Sequence, residues 1–108
     1  MRFNKLAFGL TMTFMRNKYQ VSMADAARQS GISYRAWHAM ESGRSAPSIE
    51  VLLALAALFN CKTDELFDMH YQLIECVADI QKVTGASTHS LRQQALQNWI
   101  AKHIVANQ

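Results

Sequence analysis

The segment Ser30-Gly31-Ile32-Ser33 constrains this chain more than any other stretch. On each side of it lies an amphipathic run far too short to be a stable helix on its own in water. Ser22 is placed to cap a helix Met23 to Gln29, and Gly31 suits the left-handed residue that closes one. Ser33 then caps a second helix, Tyr34 to about Ser42, closed by Gly43. So short a turn makes the second helix cross the first steeply and project from the surface, so both must pack on other helices. The rest of the chain supplies them. No stretch alternates with period two, and turn signals fall at helix-length intervals. A first helix is predicted from about Asn4 to Lys18. Pro47-Ser48 starts a fourth, Ile49 to Phe59, with Glu50 where the helix dipole favours an anion. Asn60-Cys61-Lys62 reads as a turn, and Thr63 as the cap of a fifth helix. Helical pattern resumes from Asp68 to Val83, breaks at Thr84-Gly85, and returns from about Thr88 to Val105.

Composition removes several classes of function. With 108 residues the chain has core enough for one small domain with an appendage. Half its residues are hydrophobic and there is one proline, which excludes a disordered or collagen-like chain. Cys61 and Cys76 are 15 positions apart with no ligand spacing around them, so neither a disulfide framework nor a zinc site is expected. Reduced thiols in the cytoplasm are the plain reading. Arg2 and Lys5, Leu6 to Met15 and Ala24-Asp25-Ala26 imitate a signal peptide, but cleavage there would remove residues the two short helices need. The longest apolar run, Val51 to Phe59, is nine residues, too short to span a bilayer. His70, His89 and His103 lack partners at ligand spacing, and no nucleophile–base or paired-carboxylate arrangement can be assembled. No catalysis, metal or cofactor is expected.

Charge is segregated along the chain. Residues 1–45 carry Arg2, Lys5, Arg16, Lys18, Arg28, Arg35 and Arg44 against Asp25 and Glu41, a balance of +5. Residues 46–80 carry Lys62 against Glu50, Asp64, Glu65, Asp68, Glu75 and Asp79, a balance of −5. One face can thus attract phosphates while another is held off them. A projecting helix of this kind fits the major groove of B-DNA, its first turn meeting base edges. Ser22 and Ser33 mark helix starts whose amides suit phosphate oxygens.

Arg16, Val21 to Ala27, Gly31-Ile32-Ser33, Met40 to Arg44, Pro47-Ser48 and Leu52 to Phe59 together resemble the phage-repressor/Cro-type (lambda repressor-like, XRE-type) helix-turn-helix family over about residues 8–67. The resemblance implies a five-helix DNA-binding domain, residues 1–67, and the helical pattern beyond it adds a two-helix C-terminal extension, residues 68–108, so the expected fold is all-α. It implies a transcriptional regulator, a repressor of the kind found in phages and bacteria, that binds double-stranded DNA with a two-fold operator as a homodimer. By position, Arg16 and Glu41 would form a structural ion pair. Tyr34, Arg35, His38 and Ala39 would face base edges, and Arg35 can donate twice to guanine. Ser22, Met23, Ser33, Ser42, Arg44 and Ser45 would lie at the DNA backbone. Several residues depart from the family's pattern. Met23 replaces a phosphate-binding glutamine, and Gln20 replaces a glycine at a turn, at a conformational cost. Ala26 is smaller and Trp37 larger than usual, and the indole is expected to fill the vacated core volume.

The first helix also carries a second apolar stripe, Phe3, Leu6, Leu10 and Phe14, opposite Phe8, Met12, Met15 and Tyr19. Leu66, Met69, Leu73, Cys76, Ile80 and Val83 recur at heptad-like spacing, and Leu91, Leu96, Trp99, Ile100 and Ile104 follow. These residues are expected to build the dimer interface; the alternative is that they fold back onto the first helix. Two other functional readings stay open. The C-terminal helices could hold a protein partner, as in an autorepressing antitoxin, or the chain could be an adaptor that has lost DNA binding.

Overall fold

The computed structural model describes residues 3–84, 93–95 and 97–101, with the side chains at 77 and 79–84 outside that description. Among the described residues there is no strand, and five helices are bounded at both ends: α1 Lys5–Lys18, α2 Met23–Gln29, α3 Tyr34–Glu41, α4 Ile49–Leu58 and α5 Thr63–Thr84. Residues 93–95 and 97–101 are helical as well.

The boundaries of α1 to α4 follow one local rule. Each begins at a side chain that accepts an amide of its first turn: Asn4 from Ala7, Ser22 from Asp25, Ser33 from Ala36, Ser48 from Val51. Each ends at a left-handed residue, namely Gln20 (φ 57°), Gly31 (φ 74°), Gly43 (φ 83°) and Asn60 (φ 49°). The next amide then reaches back five residues: Val21 to the Arg16 carbonyl, Ile32 to Ala27, Arg44 to Ala39, Cys61 to Ala56. Asparagine tolerates this conformation; glutamine does so at a cost of about 1–2 kcal/mol.

Helix α5 departs from expectation. It runs unbroken through residues 67 and 68, where the domain was expected to give way to its extension, because Leu66 to His70 contains no helix breaker. Thr63 is its first residue rather than its cap.

Helix α1 is packed on two faces. The first core joins Phe8 and Met12 to Ala26, Ala27, Trp37, Met40, Val51, Leu55, Phe59 and Leu66, with Met15, Val21 and Ile32 at its border. Trp37 and Ala26 are both fully buried there. The second core joins Ala7 and Leu10 to Met69, Leu73, Ala95 and Trp99, bordered by Leu6, Phe14, Cys76 and Ile100. Phe14 and Trp99 meet edge to face at 4.5 Å, and the Trp99 indole donates to Gln72 Oε1.

Much of the described part of the seam expected to join two copies is therefore covered within the chain, while Phe3 stays exposed. Leu10, Leu66, Met69 and Leu73 are buried in the protomer, Leu6, Phe14 and Cys76 are half-buried around them, and Phe3 stacks on His70. The physical reason is proximity. Helix α5 lies along α1 in the same chain, so burying the stripe needs no second molecule. The side chains of Ile80 and Val83, and residues Leu91, Leu96 and Ile104, lie outside the described residues.

Candidate DNA interface

Helix α3 is held by its inner face. Arg16 donates to both oxygens of Glu41, Nη2 to Oε1 at 2.8 Å and Nε to Oε2 at 3.1 Å, and its Nη1 donates to the Val21 carbonyl. The Trp37 indole donates to the same Glu41 Oε2 at 2.6 Å. Arg16 on α1 thus fixes the end of α3 and the turn into α2 at once, through nearly buried charge-assisted bonds. A Cβ at Gly9 would collide with the Met40 and Glu41 carbonyl oxygens, so the glycine permits this close crossing of α1 and α3. The Trp37–Glu41 bond and the role of Gly9 were not anticipated from sequence. The signals were present: an i, i+4 spacing for the first, a glycine in mid-helix for the second.

The outer face of α3 carries Tyr34, Arg35 and His38. Tyr34 is 54% exposed; its ring stacks against His38 with centroids 6.3 Å apart, and its hydroxyl approaches Met23 Sδ at 3.9 Å. Arg35 is exposed, and no described residue bonds its guanidinium. Arg44, in the turn after α3, reaches back: Nε donates to Ser42 Oγ at 3.1 Å, and Nη2 lies 2.9 Å from His38 Nδ1. Ser42 Oγ in turn donates to the His38 carbonyl at 2.7 Å. Tyr34, Arg35, His38 and Arg44 line one shallow depression.

The remaining candidates are placed less openly. Ala39 is half-buried, its carbonyl accepting the amides of Arg44 and Ser45. Ser42 and Ser45 are half-buried beside it, and Met23 is half-buried under Tyr34. Ser22 and Ser33 are exposed at the starts of α2 and α3. Of the bases on the turn motif, Arg28 is paired with Asp25 at 3.3 Å. The acids Glu50, Asp64, Glu65, Asp68 and Glu75 are exposed on α4 and α5, away from the α3 surface in sequence and on different helices.

Two ionisable groups away from this face are shifted by burial. Burial pushes the Cys61 thiol up, with Glu65 adding to the effect and Lys18 opposing it. His70 is fully buried; burial holds its imidazole below the ordinary histidine range, and its Nε2 accepts the Asn4 amide at 2.9 Å. Among the described residues no three His, Cys, Asp or Glu groups gather as a metal site would require. No described helix is long and apolar enough to cross a membrane.

A projecting second helix, tied by its inner face and presenting donors on its outer one, is the working geometry of a helix-turn-helix. A helix-turn-helix family model matches residues 14–66, and this part of the chain is a lambda repressor-like, XRE-type helix-turn-helix domain. The protein is a DNA-binding transcription regulator of that family. No curated protein matches the chain, and no solved structure does.

Proposed function

We propose that this regulator is a repressor that binds a two-fold operator as a homodimer, one α3 per half-site, and occludes a promoter. The observation that carries the reading is Arg35: a guanidinium that no described residue bonds, in the first turn of the projecting helix, between Tyr34 and His38. Its planar fork matches guanine O6 and N7. Ser22 and Ser33, exposed at the starts of α2 and α3, are the candidates for phosphate contacts.

Because the described part of the expected seam is covered largely by α1 and α5 of the same chain, another surface is the better candidate for a second copy. Ile49 and Leu53, one turn apart on α4, are 76% and 61% exposed. Two large aliphatics left in water on one helix favour a self-complementary contact there.

Selection of bound sequences from random DNA tests the proposal. The expected outcome is a palindrome with two half-sites. Arg35→Ala is expected to relax selection at one base pair by about tenfold or more, the worth of a bidentate base contact. Equal losses on operator and random DNA would refute the readout role. Leu53→Arg is expected to leave a monomer in sedimentation and to weaken operator binding; a variant that remains dimeric removes α4 from the interface.

A further inference from the structure

The closed set of bonds around His38 determines what that side chain can recognise, given the DNA-reading role proposed for α3. A guanidinium has five donors and no acceptor, and it stays protonated at any pH a protein survives. Arg44 Nη2 lies 2.9 Å from His38 Nδ1, so Nδ1 must be the acceptor of that bond. A neutral imidazole with an unprotonated Nδ1 carries its proton on Nε2. Arg44 is itself anchored: its Nε donates to Ser42 Oγ, and the Ser42 hydroxyl donates to the His38 carbonyl. The ring is also flanked by Tyr34, one turn earlier on α3. No described residue bonds Nε2, and His38 is exposed.

We infer that His38 is a donor-only base reader, its tautomer set by Arg44, and that it selects guanine. In the major groove an N–H donor can meet a purine N7, guanine O6 or thymine O4, and is repelled by the amino groups of adenine and cytosine. Guanine alone offers two adjacent acceptors with no amino group beside them on that edge. Arg44 acts as a positioning residue in this scheme. Its remaining guanidinium donors are left for a phosphate.

Three closing loops of the fold show that this use of Arg44 is particular. The residue in the equivalent place after α1, α2 and α4 is Val21, Ile32 or Cys61, each packed against the first core. After α3 the place is taken by an exposed arginine that turns outward to the reading face.

The test uses the full chain and the operator obtained by selection. Replacing each guanine of a half-site in turn by 7-deazaguanine removes one N7 acceptor at a time. At one guanine distinct from that of Arg35, wild-type binding is expected to fall about fivefold, the worth of one hydrogen bond. His38→Asn keeps an acceptor for Arg44 but is too short to reach the base, and should be indifferent to deazaguanine at that position alone. Imidazole 15N shifts of the free protein should report the Nε2–H tautomer, becoming a mixture in Arg44→Ala. An Nδ1–H tautomer in the wild type, or an operator in which His38→Asn and wild type respond alike at every guanine, overturns the inference and leaves DNA reading by Arg35 standing. Failure to select any DNA sequence would overturn the DNA-reading proposal and His38's role with it.

Discussion

The two packed faces of α1 are built differently, and the difference separates what positions the reading helix from what merely adds stability. The first face meets α2, α3 and α4 and contains a polar tie, in which Glu41 accepts from both Arg16 and Trp37. That tie has direction: it sets where the end of α3 lies relative to α1. The second face meets α5, Ala95, Trp99 and Ile100 through aliphatic and aromatic contacts, and the Trp99–Gln72 and Asn4–His70 bonds lie beside it. Its link toward the reading helix is apolar and indirect: Leu6 packs against Gly43 in the turn after α3. Damage to the first face should therefore strike folding and DNA selection together, and damage to the second should strike folding alone.

The largest effect is expected from Trp37→Ala. It empties the volume of a fully buried indole and removes a donor from buried Glu41, a loss of about 4 kcal/mol in denaturant unfolding. Base preferences should blur in whatever fraction remains folded. Leu73→Ala, at a fully buried site of the second face, should cost about 3 kcal/mol. Its folded fraction should select the same half-site as wild type. A changed selection in Leu73→Ala would erase the distinction between the two faces.

How much of this was legible in the sequence depends on whether the determinant is local. Ser22, Ser33, Gly31 and Gly43 define α2 and α3 because capping and left-handed closure involve a few consecutive residues. The continuation of α5 past Phe67 was missed, since the length of a family resemblance says nothing about where a helix without breakers stops. The apolar stripe of Leu6, Leu10 and Phe14 was visible as periodicity, but periodicity does not name the surface that covers it, and α5 of the same chain does so. Arg44 reads in sequence as a contact to the DNA backbone, with no hint of a tie to another reading residue. Only the closure geometry after α3 brings it to His38, six residues back.

His70 on α5, whose ring also meets Phe8 and Phe67 of the first core, gives the fold a pH handle. His70 accepts the Asn4 amide through Nε2, and burial lowers its pKa in the folded chain. An unfolded histidine titrates near 6.5, so as pH falls the unfolded state takes up the proton first. The contribution of His70 is whole above about pH 6.5 and is lost as pH falls from there toward the lowered folded value. Thermal unfolding between pH 7.5 and 5.5 should show this decline, and His70→Gln, which keeps an acceptor but cannot titrate, should flatten it. An equal slope in the variant would assign the decline to other groups.

The smallest change is expected where neither face is touched. Gln20 closes α1 at φ 57°, a conformation that suits glycine, and its side chain is exposed. Gln20→Gly removes the steric cost of a Cβ in the left-handed region, about 1–2 kcal/mol, but gives back part of it through the greater freedom of glycine in the unfolded chain. A net gain of roughly 0.5–1 kcal/mol in unfolding free energy is expected, with operator selection unchanged. Because Val21, the next residue, accepts Arg16 through its carbonyl, a shift in base preference here would mean that the α1–α2 turn transmits to α3 through that arginine as well as through the first core.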